Sequence, residues 1–261
     1  MINLRLDGAV RTLILTLRAR AEEQKQDEPL IRDPWSADWY AFMPDSKKLD
    51  EWYNPNFQLA TAIRSRLIDE AVEAFVESHD NPVVVELGAG FSTRYFRIGE
   101  GKSTWIELDL DEAISARRKL DIEIDNHWFI STDMRETDWM NLLPDVDAKN
   151  MIFIAEGALM FLEPEAVDRL IGTLADRFSG ANFVFDVINP GYLERANETT
   201  PDINAPMLWG VDVDELSRYN LSIDETRYLL MEHPERWEAI GVEKKNRKKD
   251  RSGYVVAARL S

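Results

Sequence analysis

Leu59–Val76 repeats apolar residues at helical spacing, which predicts a long amphipathic helix. The whole of 1–80 reads as helical, broken at Pro29, Pro34, Pro44 and Pro55. Within it Ile2, Leu6, Val10, Leu13, Ile14 and Leu17 line one face of a further helix, expected to pack on its own domain. The pattern changes after residue 80. Val83–Leu87 is a β-branched run that ends in Gly88-Ala89-Gly90, with a helical pattern from Ser92. Thr104–Asp109, His127–Ser131, Met151–Glu156 and Asn182–Ile188 read as further strands, with helices over 111–120 and Glu163–Phe178 between them. This alternation predicts an α/β fold: a parallel sheet with helices on both faces. Towards the end Ser222–Met231 looks helical, and two strands, about Glu238–Lys244 and Gly253–Leu260, flank a basic run. A connection that short cannot make a parallel crossover, so the pair is expected to be an antiparallel hairpin.

Composition narrows the classes. With 44% hydrophobic residues in 261, the chain can build a core, which excludes a disordered acidic tail. The net charge of −17 argues against an extended nucleic-acid footprint. The absence of cysteine excludes disulfide scaffolds, zinc ribbons and thiol nucleophiles. His79, His127 and His233 stand far apart, so no metal site is expected. Arg5, Asp7, Arg11, Arg18 and Arg20 interrupt the apolar N-terminal stretch, which argues against a signal peptide, and no run suits a membrane span. A cytoplasmic protein without membrane contact is the expectation. The basic run Lys244–Arg251 reads as a solvated hairpin tip, with capture of an acidic partner as the alternative.

The candidate chemistry sits at the strand ends. Gly88 and Gly90 let the backbone turn tightly after a buried strand and approach a ligand. Asp109 follows Gly90 by nineteen positions at the next strand end, where an acid can accept hydrogen bonds from ribose hydroxyls. A dinucleotide fingerprint needs a further glycine where Thr93 stands. Glu86, just before the turn, would repel a pyrophosphate and suits a cationic ligand such as S-adenosylmethionine. Asp133 and Glu156 mark two more strand ends, the first suited to adenine and the second to the methionine or acceptor end.

Three segments in this order, VELGAGFSTRYFR (Val85–Arg97), WIELDLDEAISARRKL (Trp105–Leu120) and FIAEGALMFL (Phe153–Leu162), resemble the leucine carboxyl methyltransferase family. That family includes protein phosphatase methyltransferases and bacterial polyketide O-methyltransferases. The likeness extends to Asp33-Pro34 and Ala62-Ile-Arg-Ser-Arg66. It implies a Rossmann-like class I methyltransferase with a mainly parallel seven-stranded sheet and a C-terminal antiparallel hairpin, using S-adenosylmethionine. The expected single domain has a helical extension or lid over 1–80, a donor-binding core over 81–188, an acceptor-side insertion over 189–235 and the hairpin over 236–261. Carried over by position, Arg64 meets the methionine carboxylate, and Glu86, Gly88, Ala89 and Gly90 form the donor loop. Asp109 holds the ribose, Asp133 and Met134 flank adenine, and Glu156 lies near the amino group, with Leu110 a further donor-binding candidate. A second basic contact falls on Arg18 or Arg20.

The expected acceptor is a small molecule, methylated on a carboxylate or hydroxyl by in-line displacement. Tyr192, Arg195, Trp209 and Tyr219 are candidates for its pocket, against ordinary packing. No catalytic base is assigned, and His233 is the only histidine at a plausible place. Two rivals stay open: a non-catalytic methyltransferase-like binding subunit and an NAD-dependent oxidoreductase.

Overall fold

The computed structural model describes residues 12–44, 47–199, 205–243 and 251–261. Four helices come first: α1 (Thr12–Glu23), α2 (Pro34–Tyr40), α3 (Lys47–Trp52) and α4 (Pro55–Ser78). Proline fixes the first turn of α2 and α4, and an Asx side chain caps each one. The Asp33 carboxylate accepts from the Ser36 N–H at 3.0 Å, and the Asn54 side chain accepts from the Phe57 N–H at 3.0 Å. The first eleven residues, which carry part of the predicted N-terminal helix, lie outside the described residues. The described part packs on its own domain: Ile14, Leu15 and Leu17 of α1 are buried with Trp39 and Met43.

The seven strands are β1 (Val83–Leu87), β2 (Thr104–Asp109), β3 (His127–Ser131), β4 (Met151–Ala155), β5 (Asn182–Ile188), β6 (Leu221–Tyr228) and β7 (Gly253–Leu260). They form one sheet in the order β3-β2-β1-β4-β5-β7-β6. β1 to β5 are parallel, and β7 runs antiparallel to both of its neighbours. The central strands are apolar on both faces because both are covered. α4 packs against Val84, Trp105, Ile152 and Val184. On the other face α6 (Pro164–Arg177) buries Val167, Leu170, Ile171 and Leu174, one helical stripe, against Val83, Phe153 and Phe183. Among the described residues the remaining helices are α5 (Asp111–Arg117), α7 (Pro190–Thr199) and α8 (Pro234–Ala239).

The C-terminal expectation needs correction. The strand that pairs with Gly253–Leu260 is Leu221–Tyr228, where a helix was expected, and α8 with its following turn occupies much of 238–243. β6 is a solvated edge strand, so most of its residues are polar on both faces and the period-two signal is missing. Pairing with β7 makes it a strand, with Leu221 opposite Leu260 and Tyr228 opposite Tyr254. Lys244–Asp250, most of the basic run, lies outside the described residues. The helix expected from Ser92 is only a short π-type turn, Tyr95–Gly99. Gly99 packs against the Trp105 ring, where a Cβ would meet Cε3 at 2.3 Å.

Candidate active site

The carboxyl ends of β1, β2, β3 and β4 converge on one cleft with two lobes. Thr12, Leu13, Gly88, Gly157 and Phe161 border both lobes, so they are continuous. One lobe is lined by Asp109, Leu110, Thr132, Asp133 and Met134. The other holds Arg20, Arg64, Arg94 and Glu156 beside Trp52, Phe57, Met160 and Met207.

The turn after β1 is stapled to β2. The N–H groups of Gly88 and Ala89 donate to the Leu108 carbonyl at 2.8 and 3.1 Å. Gly88 has φ +68°, and a Cβ there would lie 2.8 Å from Met134 Cε and 2.9 Å from Ala158 Cβ. Glycine therefore keeps the floor between the lobes open. The Asp109 carboxylate accepts from the N–H groups of Gly90 and Leu110, each at 2.7 Å. Burial pushes its carboxyl up to about 6, against those two hydrogen bonds. Asp133 is at the next strand end, but Arg135 binds its carboxylate and holds its carboxyl below the usual range.

A buried ionic group underlies the other lobe. Arg94, 2% exposed, bonds Asp69 at 2.6 Å, Glu86 at 2.5 Å and also Glu156. Arg64 is gripped between Glu156 (3.1 Å) and Asp186 (3.2 Å), which leaves Nη2 beside Gly157, where a Cβ would come within 3.1 Å. Asp186 also accepts from the Gly157 N–H at 2.6 Å. Arg20 donates to Asp33 at 3.2 Å and to the Phe91 carbonyl at 2.6 Å. Arg97 joins Asp33 to Asp69. Burial works to raise the Glu156 carboxyl, but Arg94, Arg64 and Arg20 outweigh it and hold it well below the carboxylate range. Glu156 also accepts from Ser65 Oγ at 2.6 Å, so three donors occupy it and about one lone-pair site remains.

Several expectations change. Of the two candidate arginines, Arg20 lines the cleft, while Arg18 lies over the Tyr53 ring and pairs with Asp50. Glu86 is buried and its charge is matched by Arg94, so the simple picture of an acid facing a cationic ligand does not hold. Trp209 and Tyr219 are core residues, with Trp209 Nε1 donating to the Tyr219 hydroxyl at 3.0 Å. Tyr192 and Arg195 lie on α7 outside the lining of either lobe. His127 is buried against Glu107, and neither His79 nor His233 lines a lobe. Asp69 and Asp186 went unread. Asp186 follows the same strand-end rule as Asp109; Asp69 carried no signal beyond an acid on an otherwise apolar helix face.

A sequence profile of the leucine carboxyl methyltransferase family matches residues 13–175, more than half of the chain. The chain belongs to the leucine carboxyl methyltransferase family. Among its relatives is the tetracenomycin polyketide synthesis O-methyltransferase TcmP of Streptomyces glaucescens, 24% identical over 80% of this chain and 77% of the relative. The S-adenosyl-L-methionine-dependent methyltransferase dpfgK of Gibberella zeae is 26% identical over 68% and 64%. A putative methyltransferase of Mycolicibacterium vanbaalenii, also S-adenosyl-L-methionine-dependent, is 26% identical over 90% and 84%. Two solved structures share the fold. An S-adenosylmethionine-dependent methyltransferase from Mesorhizobium loti has TM-score 0.51 at 19% identity, over 73% of this chain and 96% of its own. Magnesium protoporphyrin IX methyltransferase from Synechocystis, with bound S-adenosylhomocysteine, has TM-score 0.51 at 13% identity, over 86% and 94%.

The chain is thus an S-adenosylmethionine-dependent methyltransferase, and its cleft fits that donor. The Gly88 floor leaves room where a Cβ would intrude. The ionic group joins five carboxylates (Asp33, Asp69, Glu86, Glu156, Asp186) to four guanidiniums (Arg20, Arg64, Arg94, Arg97). Fully ionised, it carries one net negative charge, complementary to a donor with a sulfonium, an ammonium and one carboxylate. A dinucleotide is disfavoured by Thr93, whose hydroxyl donates to Asp33 at 2.5 Å where that fingerprint needs glycine.

Proposed function

We propose that this enzyme methylates an oxygen, a carboxylate or a hydroxyl, of a small molecule in the cytoplasm. The observation that carries this reading is the continuous cleft, in which Asp109, Asp133 and Met134 line one lobe and Arg20, Arg64 and Glu156 line the other beside Trp52, Phe57, Met160 and Met207. Asp109 accepts the ribose hydroxyls, Gly88 to Gly90 pass beneath the donor, and Leu110, Asp133 and Met134 flank its adenine. Arg64 and Arg20 hold the donor's carboxylate, and the last lone pair of Glu156 receives its ammonium. Glu86 contributes indirectly, by holding Arg94. The small-molecule acceptor is supported by the name of the Streptomyces relative, which places that protein in polyketide synthesis.

The bound donor supplies an electrophilic methyl on a sulfonium. The chain's task is to bring an oxygen lone pair close to that carbon and in line with the breaking C–S bond, whose electrons return to sulfur. An ionised carboxylate needs no base, and a hydroxyl gives up its proton to solvent water. Calorimetric titration with S-adenosylhomocysteine tests the site. Wild-type protein binds it, and Asp109→Ala does not; full affinity in that variant would overturn the assignment.

A further inference from the structure

We propose that Arg117 is a positioning residue for the donor: from beneath the cleft it fixes the Gly90 turn, and through that turn the Asp109 carboxylate that receives the ribose. This rests on the donor reading above. Arg117, the last residue of α5, is fully buried and lines neither lobe. Its guanidinium lies 4.7 Å from the Trp39 ring centre and 5.3 Å from that of Phe129. Nη2 donates to Glu107 at 2.9 Å and to Asp121 at 3.0 Å, and His127 Nε2 lies 3.1 Å from Glu107. With two carboxylates on one guanidinium, charge balance needs no further acceptor. Nη1 nevertheless donates at 3.1 Å to a neutral group, the Gly90 carbonyl.

Gly90 is thereby gripped at both ends, its N–H by Asp109 at 2.7 Å and its carbonyl by Arg117. Its φ of +52° lies in the left-handed region, which glycine enters and leaves at little cost, so the turn needs outside partners to hold one shape. The next carbonyl, that of Phe91, accepts from Arg20 at 2.6 Å. Two buried arginines, one from α5 and one from α1, thus take consecutive carbonyls of the donor loop. Arg117 also acts by its charge. Burial raises the Asp109 carboxyl, and the N–H groups of Gly90 and Leu110, then Arg117, draw it down against Glu107. The elements packed around Asp109 also bring Asp111 and Asp121 at the two ends of α5, His127 on β3, the Asp133–Arg135 pair beyond it, and Arg20 on α1. Substitutions confined to Arg117 leave all of these in place, so a change in pH profile reads Arg117 itself.

The test is calorimetric titration of the full chain with S-adenosylhomocysteine between pH 5 and pH 8. Arg117→Lys keeps the charge, but an ammonium cannot fork to a carbonyl and two carboxylates. It binds about three- to tenfold more weakly at pH 8, while the fall in affinity towards low pH stays centred at the wild-type value. Arg117→Met also removes the charge. The Asp109 carboxyl then rises further, and the fall in affinity is centred about half a pH unit or more above that of the wild type. Should Arg117→Met not fold, Arg117→Lys combined with Asp109→Asn decides: the two losses are less than additive, because both act through one turn. A residue that only holds the fold would lower Tm and leave affinity and profile unchanged. The proposal is overturned if Arg117→Lys keeps the wild-type affinity, if folded Arg117→Met keeps the wild-type profile, or if the Arg117→Lys and Asp109→Asn losses simply add. Failure of the wild-type protein to bind S-adenosylhomocysteine would instead overturn the donor reading.

Discussion

In the proposed donor site Asp109 must be charged to accept from two ribose hydroxyls, yet it sits where charge is costly. Burial moves its carboxyl up to about 6, opposed by the N–H groups of Gly90 and Leu110 and by the charge of Arg117. A carboxyl raised in the folded state favours folding at low pH, and that contribution is lost as pH rises through about 6. Donor binding has the opposite sign, because it selects the ionised form. Affinity for S-adenosylhomocysteine is therefore expected to fall as pH drops below about 6, approaching tenfold per unit, with proton release on binding near that pH. Calorimetry in buffers of different ionisation enthalpy measures both. Asp109→Asn binds about tenfold or more weakly at pH 8 and shows a flat profile down to pH 5, since the amide does not titrate. A second residue-scale expectation concerns Gly88. Alanine there meets a left-handed φ of +68° and two carbons under 3.0 Å away, though Met134 Cε can move. A loss of about 1–2 kcal/mol, seen as a fall of a few degrees in Tm, is expected together with weaker donor binding.

Elements meet at Arg94, which joins α4 through Asp69, β1 through Glu86 and the end of β4 through Glu156. Removing one side of such a group strands buried charge. Arg94→Met is expected to lower stability by about 3–5 kcal/mol in urea titrations, and adding Glu86→Gln to restore part of the loss. Arg94→Lys falls between, since an ammonium cannot reproduce a fork that reaches three carboxylates. An unchanged midpoint in Arg94→Met would show that the group carries no net stability. The same elements show what the sequence could and could not reveal. Val83–Leu87 and Asn182–Ile188 were legible because both faces are buried and the apolar run is unbroken. Leu221–Tyr228 was not, because an edge strand takes its identity from its partner rather than from its own pattern. Gly88, Asp109 and Glu156 were legible because strand ends are where open α/β sheets meet ligands. Trp209 and Tyr219 stayed open because composition alone cannot tell an aromatic ring in a pocket from one in the core. Trp52, Phe57 and Met207 stayed hidden because only the folded chain brings α3, α4 and the segment after α7 to one cleft.

At the scale of the whole molecule, charge is the property that ties fold to donor. The chain carries −17 in total, but what the ligand meets is the small imbalance in the group beneath the cleft, five carboxylates against four guanidiniums. Before transfer the donor has a net charge of +1; afterwards the sulfonium is gone and the product is neutral overall. The field of the fully ionised group therefore favours the substrate form over the product form. Asp186→Asn removes one negative charge from the group while keeping a side chain able to accept from the Gly157 N–H. Weaker anchoring of Arg64 should affect both ligands alike, since both present the same carboxylate. Loss of the charge should affect only the sulfonium form. The ratio of the S-adenosylhomocysteine Kd to the S-adenosylmethionine Kd is expected to fall about fivefold in Asp186→Asn, equivalent to about 1 kcal/mol at the effective dielectric of a partly buried site. Parallel titrations of both ligands at one pH and salt concentration measure it. If both affinities fall by the same factor, Asp186 only positions Arg64, and the charge balance plays no part in telling donor from product.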